Sequence, residues 1–359
     1  FQFEGENIEN IVMENLEDMI EDEISEWEKK SKYTVLEYKE GDYWVGHSQF
    51  LQQFLNPLLL RSVKGIQFNE WYKGNLDGIK TSELNDILSF KDKLSFNIFF
   101  SVVLLSKFEK KNKLNPKKAL KKLQNKKSLS KNSYKSMLVQ LKNWINKLEP
   151  LKKKTEWDSY SSINTYQKEE EQKKLKIVNE FSKKFKPKIL ADMGCNDGIY
   201  SFESLKAGAK KVIGFDIDIN SIERAYKNSV NNKLNFIPIY FNAMNQSSQI
   251  GWNESERLSF NNRSNFDAMI ALAFEHHLTL ANNIPLDDAI SWLMKIAPVG
   301  LIEFVDKKDE TVKKILSLKG DIFPDYNIEN FEKSILINGK IINKTLISNT
   351  RTLYEFKKN

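Results

Sequence analysis

Only one cysteine, Cys195, and three histidines occur in the chain. A single thiol excludes an internal disulfide framework, and so few Cys and His cannot build a Cys/His zinc cluster. No metal site is therefore expected. Long apolar runs are missing too. The longest spans residues 94–105 and is interrupted by Ser95, Asn97 and Ser101, short of the roughly 20 apolar residues that a membrane-spanning helix needs. It reads as a buried helix. Arginine is scarce: Arg61, Arg224, Arg257, Arg263 and Arg351 stand against a large excess of Lys. Positions that kept Arg in such a chain are candidates for needing a planar, bidentate guanidinium. No leader segment is legible, although the chain begins at Phe1 rather than Met, which leaves room for an upstream piece. With no membrane span in view, the cytoplasm is the expected location.

The composition, 40% hydrophobic and 29% charged over 359 residues, fits a globular protein of about two domains. The net charge of +7 is unevenly placed. Residues 107–154 hold seventeen Lys against two Glu, Glu109 and Glu149, whereas residues 4–28 are acidic. A lysine-rich stretch can bind nucleic acid or an anionic membrane. Its aromatics are few, only Phe108, Tyr134 and Trp144, which gives no base-stacking platform. A solvated helical surface with a linker is the preferred reading, and nucleic acid is not an expected partner.

Apolar periodicity predicts helices over 8–27, 86–107, 116–124 and 134–147. Between them, 43–51 reads as a strand or loop entering a helix that Pro57 restarts or kinks. Residues 71–79, with Gly74 and Gly78, read as a loop. Residues 1–150 thus form a mainly helical domain. After a candidate linker at 149–154, residues 151–359 read as α/β, beginning with a helix over 167–185. Strands are expected at 188–193, 211–216, 235–241, 266–273, 299–305, 340–348 and 352–356. Helices are expected at 199–207, 219–230, 286–296, 310–317 and 328–333.

The most informative segment is Ala191-Asp192-Met193-Gly194-Cys195-Asn196-Asp197-Gly198, a strand running into a glycine-bearing turn and a helix start. Gly194 and Gly198 permit a tight turn and close backbone approach, and the helix start offers free N–H groups. About twenty residues on, Val212-Ile213-Gly214-Phe215-Asp216 ends a second strand in a carboxylate suited to ribose hydroxyls. Gly-x-Gly-x-x-Gly would point to a dinucleotide. Here a carboxylate, Asp192, leads the turn, which repels a pyrophosphate and attracts an ammonium. The pairing resembles the nucleoside-binding half of class I S-adenosylmethionine (SAM)-dependent methyltransferases. Seven strands with a final antiparallel pair resemble the Rossmann-like methyltransferase sheet. The resemblance implies SAM as cofactor, with Asp192, Gly194, Asn196 and Gly198 around its methionine part, Asp216 at the ribose and Asn242 accepting from the adenine amino group.

The fourth strand runs into Ala273-Phe274-Glu275-His276-His277, where the acceptor meets the methyl group in that fold. Transfer to a hydroxyl needs a base, and imidazole titrates near neutrality. Either His276 or His277 is a candidate base, with Glu275 as its orienting partner. A metal on the two His is disfavoured because adjacent residues rarely point the same way. The Asn/Asp-Pro-Pro-Tyr-type loop of amino-group methyltransferases is absent, which favours an oxygen acceptor.

Longer stretches are similar to one bacterial group of SAM-dependent methyltransferases. They include Asp42-Tyr43-Trp44-Val45-Gly46 with Gln49-Phe50, Trp157-Asp158-Ser159-Tyr160 with Tyr166, and Gly251-Trp252 with Glu256-Arg257. His276-His277-Leu278, Ile302-Glu303-Phe304-Val305 and Arg351-Thr352-Leu353-Tyr354 continue the pattern. The group resembles nodulation-type host-specificity proteins and is loosely labelled ribosomal-protein methyltransferase-like. The resemblance implies O-methylation of a saccharide or small-molecule acceptor, in making surface polysaccharide or a related metabolite. A protein methyltransferase and a non-catalytic SAM-fold binding module are the rival readings. Tyr43, Trp44, His47, Gln49 and Trp157 are then candidates for the acceptor, and Tyr166 for the SAM site. Arg257 either clamps an acidic group or ties its own loop. The sequence departs from the group at Asn242, where Asp is usual, and at Gln246-Ser247-Ser248, where a Pro-containing loop is usual. Oligomeric state is not legible.

Overall fold

The structure, a computed structural model, describes residues 46–114, 130–151 and 168–359. The expected helices at 8–27 and 116–124 lie outside the described residues. The chain divides into two compact units, Phe1–Lys153 and Lys154–Asn359.

The first unit is helical where described. His47–Phe50, the wider π-type turn Leu51–Leu55 and Asn56–Lys64 follow one another without a break. Pro57 has no N–H, so carbonyls four and five residues earlier lose their helical partners. The fold supplies others. Ile79 N–H donates to Gln52 O at 2.9 Å, and the Tyr72 hydroxyl donates to Gln53 O. Pro57 therefore sits inside a continuing helix. That docking also explains Gly78, at φ +79, where a Cβ would lie 2.3 Å from Gln52 O. Two sequence expectations are corrected here. Asn69–Gly74 is helical rather than loop. The single helix expected over 86–107 is divided into Thr81–Ile87, Phe90–Lys93, Phe96–Ile98, Phe99–Leu104 and Leu105–Leu114. Ser89 forms a capping box with Asp92 and starts a new helix in mid-run. Leu55, Leu59, Leu60, Ile79, Leu84 and Val102 form the unit's core.

In the second unit α1 (Lys168–Phe185) precedes β1 (Ile189–Met193), α2 (Ile199–Lys206), β2 (Lys211–Asp216), α3 (Ile219–Asn231) and β3 (Phe236–Tyr240). Next come β4 (Ala268–Ala271), α4 (Leu286–Ile296), β5 (Val299–Val305), α5 (Glu310–Lys319), α6 (Ile328–Asn338), β6 (Gly339–Ser348) and β7 (Arg351–Lys358). The sheet order is β3-β2-β1-β4-β5-β7-β6. The first five strands are parallel, and β7 and β6 pair antiparallel. Successive side chains alternate between two apolar layers. Ala191, Met193, Ile213, Phe215, Met269 and Ala271 meet Ile290, Leu293 and Phe331 on one face. Leu190, Val212, Ala268 and Ile270 meet Val178, Phe181, Ile222 and Ala225 on the other.

The chain leaves β1 for β2 and β3, then returns to the other side of β1 at β4. This reversal opens a crevice beyond the carboxyl ends of β1 and β4, where open α/β sheets take their ligands.

Candidate active site

A cavity of about 350 Å³ occupies that crevice. Its wall combines carboxylates (Glu171, Asp197, Asp216, Asp218) with apolar groups (Ile217, Phe241, Met244, Leu272, Phe274, Leu278) and His277. No Lys or Arg is among the described residues that line it.

The turn after β1 is held against the end of β2. Gly194 and Cys195 both donate backbone N–H bonds to Phe215 O, at 2.8 and 3.1 Å. Asn196 N–H donates to Asp216 Oδ2 at 2.9 Å, and Asp218 N–H to Asp216 Oδ1 at 2.8 Å. Asp216 is thus fixed at the cavity, with acceptor capacity left on each oxygen for ligand hydroxyls. Burial raises its pKa, which a cationic neighbour would offset. Gly194, at φ +78, lines the cavity, and a Cβ there would stand 2.7 Å from the Phe274 ring. Asn196 also lines it. Arg224 steadies the turn by donating from Nε to Asp197 Oδ1 at 3.0 Å and from Nη2 to Ser221 Oγ at 2.9 Å.

Asp192, Gly198, Asn242 and Arg257, all expected at the site, stand elsewhere or act differently. Asp192 does not line the cavity. Within β1 it shares a face with Leu190, so its side chain is buried under α2, where Ser201 Oγ donates to it at 2.6 Å. Burial pushes its pKa up to about 7. The cavity's negative charge comes instead from Glu171, Asp197, Asp216 and Asp218. Gly198 does not line the cavity either. It takes φ +87 at the start of α2, and a Cβ would strike the Phe236 ring at 2.7 Å. Asn242 lines the cavity, but its Oδ1 already accepts the Met244 N–H at 2.9 Å, so one lone pair and the Nδ2 donors remain for a ligand. Arg257 is outside the lining. It exchanges two backbone hydrogen bonds with Ile250, both 3.1 Å, which closes the loop between them.

At the end of β4 the His pair divides. His277 lines the cavity, and burial pushes its pKa down to about 4, so it is neutral at pH 7. His276 is fully buried off the cavity, and its ring nitrogens have no hydrogen-bond partner among the described residues. Burial holds it well below the usual imidazole range. The rings lie 4.1 Å apart, so these neighbours do point together. No cluster of three possible metal ligands is present among the described residues. Glu275 orients neither ring: it accepts from Thr279 Oγ1 at 2.7 Å and from the Tyr326 hydroxyl at 3.1 Å. Tyr43, Trp44, Trp157 and Tyr166 lie outside the described residues.

Glu275 carries a testable pH dependence. Burial pushes its pKa up to about 7. A carboxyl with a raised folded-state pKa gives stability that is complete below its unfolded pKa and lost as pH rises through 7. Glu275→Gln, which cannot ionise, should therefore gain on the wild type by roughly 3 kcal/mol between pH 5 and 8. Thermal melts of both at the two pH values check this; a constant difference would contradict it.

One buried polar group behind the end of β4 carries no site signal in its sequence pattern. The strand β4 ends where Ala273 adopts φ +51, unusual for a residue with a side chain. Its N–H donates to Glu303 Oε2 at 2.8 Å. Glu303 is fully buried on β5 with the equally buried Lys174 of α1, whose Nζ is 2.6 Å from Oε1 and 2.8 Å from Oε2. Arg351 approaches Glu303 at 3.4 Å and grips Asp309 with Nε and Nη2, at 2.8 and 2.9 Å. A carboxylate inside Leu301-Ile302-Glu303-Phe304 was the available clue.

The acidic wall, the glycine turn and the carboxylate at the end of β2 suit a cationic nucleoside and oppose a pyrophosphate. Over 327 residues, 90% of this chain and 68% of the relative, the sequence is 40% identical to the nodulation protein NoeA of Rhizobium meliloti (strain 1021). The chain belongs to the NoeA family of SAM-dependent methyltransferases. SAM is its methyl donor, and a cavity whose wall carries Glu171, Asp197, Asp216 and Asp218 without a cation among the described lining residues is compatible with a cationic nucleoside. The family model for ribosomal protein L11 methyltransferase (PrmA) matches residues 172–255 of this chain. The Ribosomal protein L11 methyltransferase of Colwellia psychrerythraea (strain 34H / ATCC BAA-681) is 45% identical over 47 residues, 13% of this chain and 16% of that one. A crystal structure of the PH0226 protein from Pyrococcus horikoshii OT3 is 16% identical and covers 56% of this chain and 99% of its own, with a TM-score of 0.40. No helix among the described residues is long and apolar enough to cross a membrane.

Proposed function

We propose that this methyltransferase transfers the methyl group to a hydroxyl of a saccharide or similar small acceptor, with His277 as the base. The observation that carries this reading is a neutral imidazole on the cavity wall at the end of β4. SAM, when bound, supplies an electrophilic methyl on a sulfonium centre. The chain's own residues do the rest. Asp216 and the turn after β1 fix the nucleoside. Phe274, Leu278 and Leu272 exclude water. His277 takes the hydroxyl proton.

The nodulation relative, alike over nearly the whole chain, supports a role in producing or decorating a saccharide-containing metabolite or surface polysaccharide. Gln49, exposed in the turn His47–Phe50, is a candidate for hydrogen-bonding a polar acceptor, as are Tyr43, Trp44 and Trp157 by residue type. Protein methylation is the rival reading. The PrmA match ends at residue 255, before the β4 end, so it bears on the cosubstrate half rather than on the acceptor.

Cells fed methyl-labelled methionine, with and without the chain, separate the two readings. Label in extracted polysaccharide or small saccharides, lost with His277→Asn, is expected. Label confined to protein would overturn the proposal.

A further inference from the structure

The helical segments Phe96–Ile98, Phe99–Leu104 and Leu105–Leu114 bury one stripe, including Ile98, Val102, Val103 and Ser106. Their other side is unusually apolar for a solvent face. Phe96 is 74% exposed, and Phe99, Phe100 and Phe108 are exposed as well. Just upstream, Phe90 is 78% exposed and Leu94 is exposed too. Phe100 packs on Phe96 with ring centres 4.6 Å apart and meets Phe99 edge-on at 5.5 Å. These rings form a contiguous patch, which solvent alone does not explain. Cations border it. Lys107 and Lys111 are exposed on the same run of helix, and Lys91 is exposed beside Phe90. The sequence then continues through the lysine-rich stretch, seventeen Lys against two Glu over residues 107–154.

We propose that this face docks the chain on a bilayer rich in anionic phospholipid. Phenylalanine rings with no polar edge suit the acyl boundary, and flanking lysines suit headgroup phosphates. The charge complementarity selects a lipid surface over a second copy of the chain, whose matching face would carry the same lysines. A single-stranded nucleic acid fits less well. Base stacking wants separately presented rings and guanidinium groups, whereas these rings stack on one another and the sequence has no Arg between Arg61 and Arg224. Docking of this kind is peripheral and is independent of which acceptor is methylated.

The test is cosedimentation of the full chain with phosphatidylcholine vesicles, alone or with roughly 30 mol% phosphatidylglycerol. Binding to the anionic vesicles only, weakened by high salt, is expected. The pair Phe96→Ser and Phe100→Ser should weaken it about tenfold, as should Lys107→Glu with Lys111→Glu. All four positions are exposed, and unchanged melting and S-adenosylhomocysteine binding would show that the variants fold. No vesicle binding, or vesicle binding indifferent to the Phe pair, would overturn the proposal; a dimer broken by the Phe pair, with no vesicle binding, would overturn it in favour of a second copy of the chain. A shift of a uridine homopolymer that survives the Phe pair, with no vesicle binding, would overturn it in favour of RNA.

Discussion

Glu303→Ala should destabilise the methyltransferase by roughly 3–5 kcal/mol, because the substitution strands the fully buried Lys174 ammonium. Lys174 has no route to solvent, and burial already pulls its pKa down against the attraction of Glu303. Denaturant melts measure the loss. The network's value lies less in net stability than in what it holds. A buried ion pair replaced by apolar groups of similar size is often near neutral, so Lys174→Met with Glu303→Leu should recover much of the lost stability. It should not recover catalysis. Glu303 Oε2 anchors the N–H of Ala273, at φ +51, where β4 turns toward Phe274 and His277. Without that anchor the turn can relax, and His277 leaves its place on the cavity wall. The double variant should fold and bind S-adenosylhomocysteine within a few-fold of the wild type while kcat falls at least tenfold. A double variant with full kcat would make the network purely structural.

His277→Asn should lower kcat by about 10²–10⁴-fold, the usual range for removing a positioned general base. Its affinity for S-adenosylhomocysteine should change little. His276→Asn should leave kcat within several-fold, since that ring lies off the cavity. The pH profile distinguishes a base from a packing group. His277 with a pKa pulled down to about 4 is already neutral over the neutral range, so its acid limb in kcat/KM, which reports the free enzyme, should fall near pH 4 rather than near the ordinary imidazole value of about 6.5. Steady-state rates with the wild type and both variants, over the pH range in which the protein stays folded, measure this. An unchanged kcat in His277→Asn would remove His277 from the chemistry.

Much of the fold was legible because the second unit buries both faces of its sheet. Strands β2 and β5 and helix α4 occupy the spans predicted from the sequence, 211–216, 299–305 and 286–296. The glycine turn was legible at Gly194 and Gly198, both of which take positive φ, whereas the place of the Asp192 side chain was not. The glycine pattern locates the turn, and period-two alternation then assigns Asp192 to the face of Leu190, under Ser201. That alternation is present in the sequence, and it competes with the resemblance that puts the motif's first carboxylate at a ligand. The His pair could be placed at the end of β4 but not divided, since nothing in two adjacent identical residues tells the ring on the cavity wall from the one buried off it. Arg351 fits the expectation for a retained guanidinium, gripping Asp309 with two nitrogens. Lys174 was hidden: Lys168–Phe185 is so rich in Lys and Glu that nothing local marks one lysine as buried. In the helical unit, Ser89 and Asp92 spell a capping box that the longer apolar periodicity overrode.

The central claim is that the crevice beyond β1 and β2 holds SAM through Asp216. Calorimetric titration of S-adenosylhomocysteine into the wild type and Asp216→Ala tests it most directly, with melts of the free proteins to confirm folding. One site per chain is expected in the wild type, weakened at least a hundredfold in the variant, roughly the loss of two or more hydrogen bonds to a charged acceptor. No binding to the folded wild type, or equal affinity in the variant, would contradict the account.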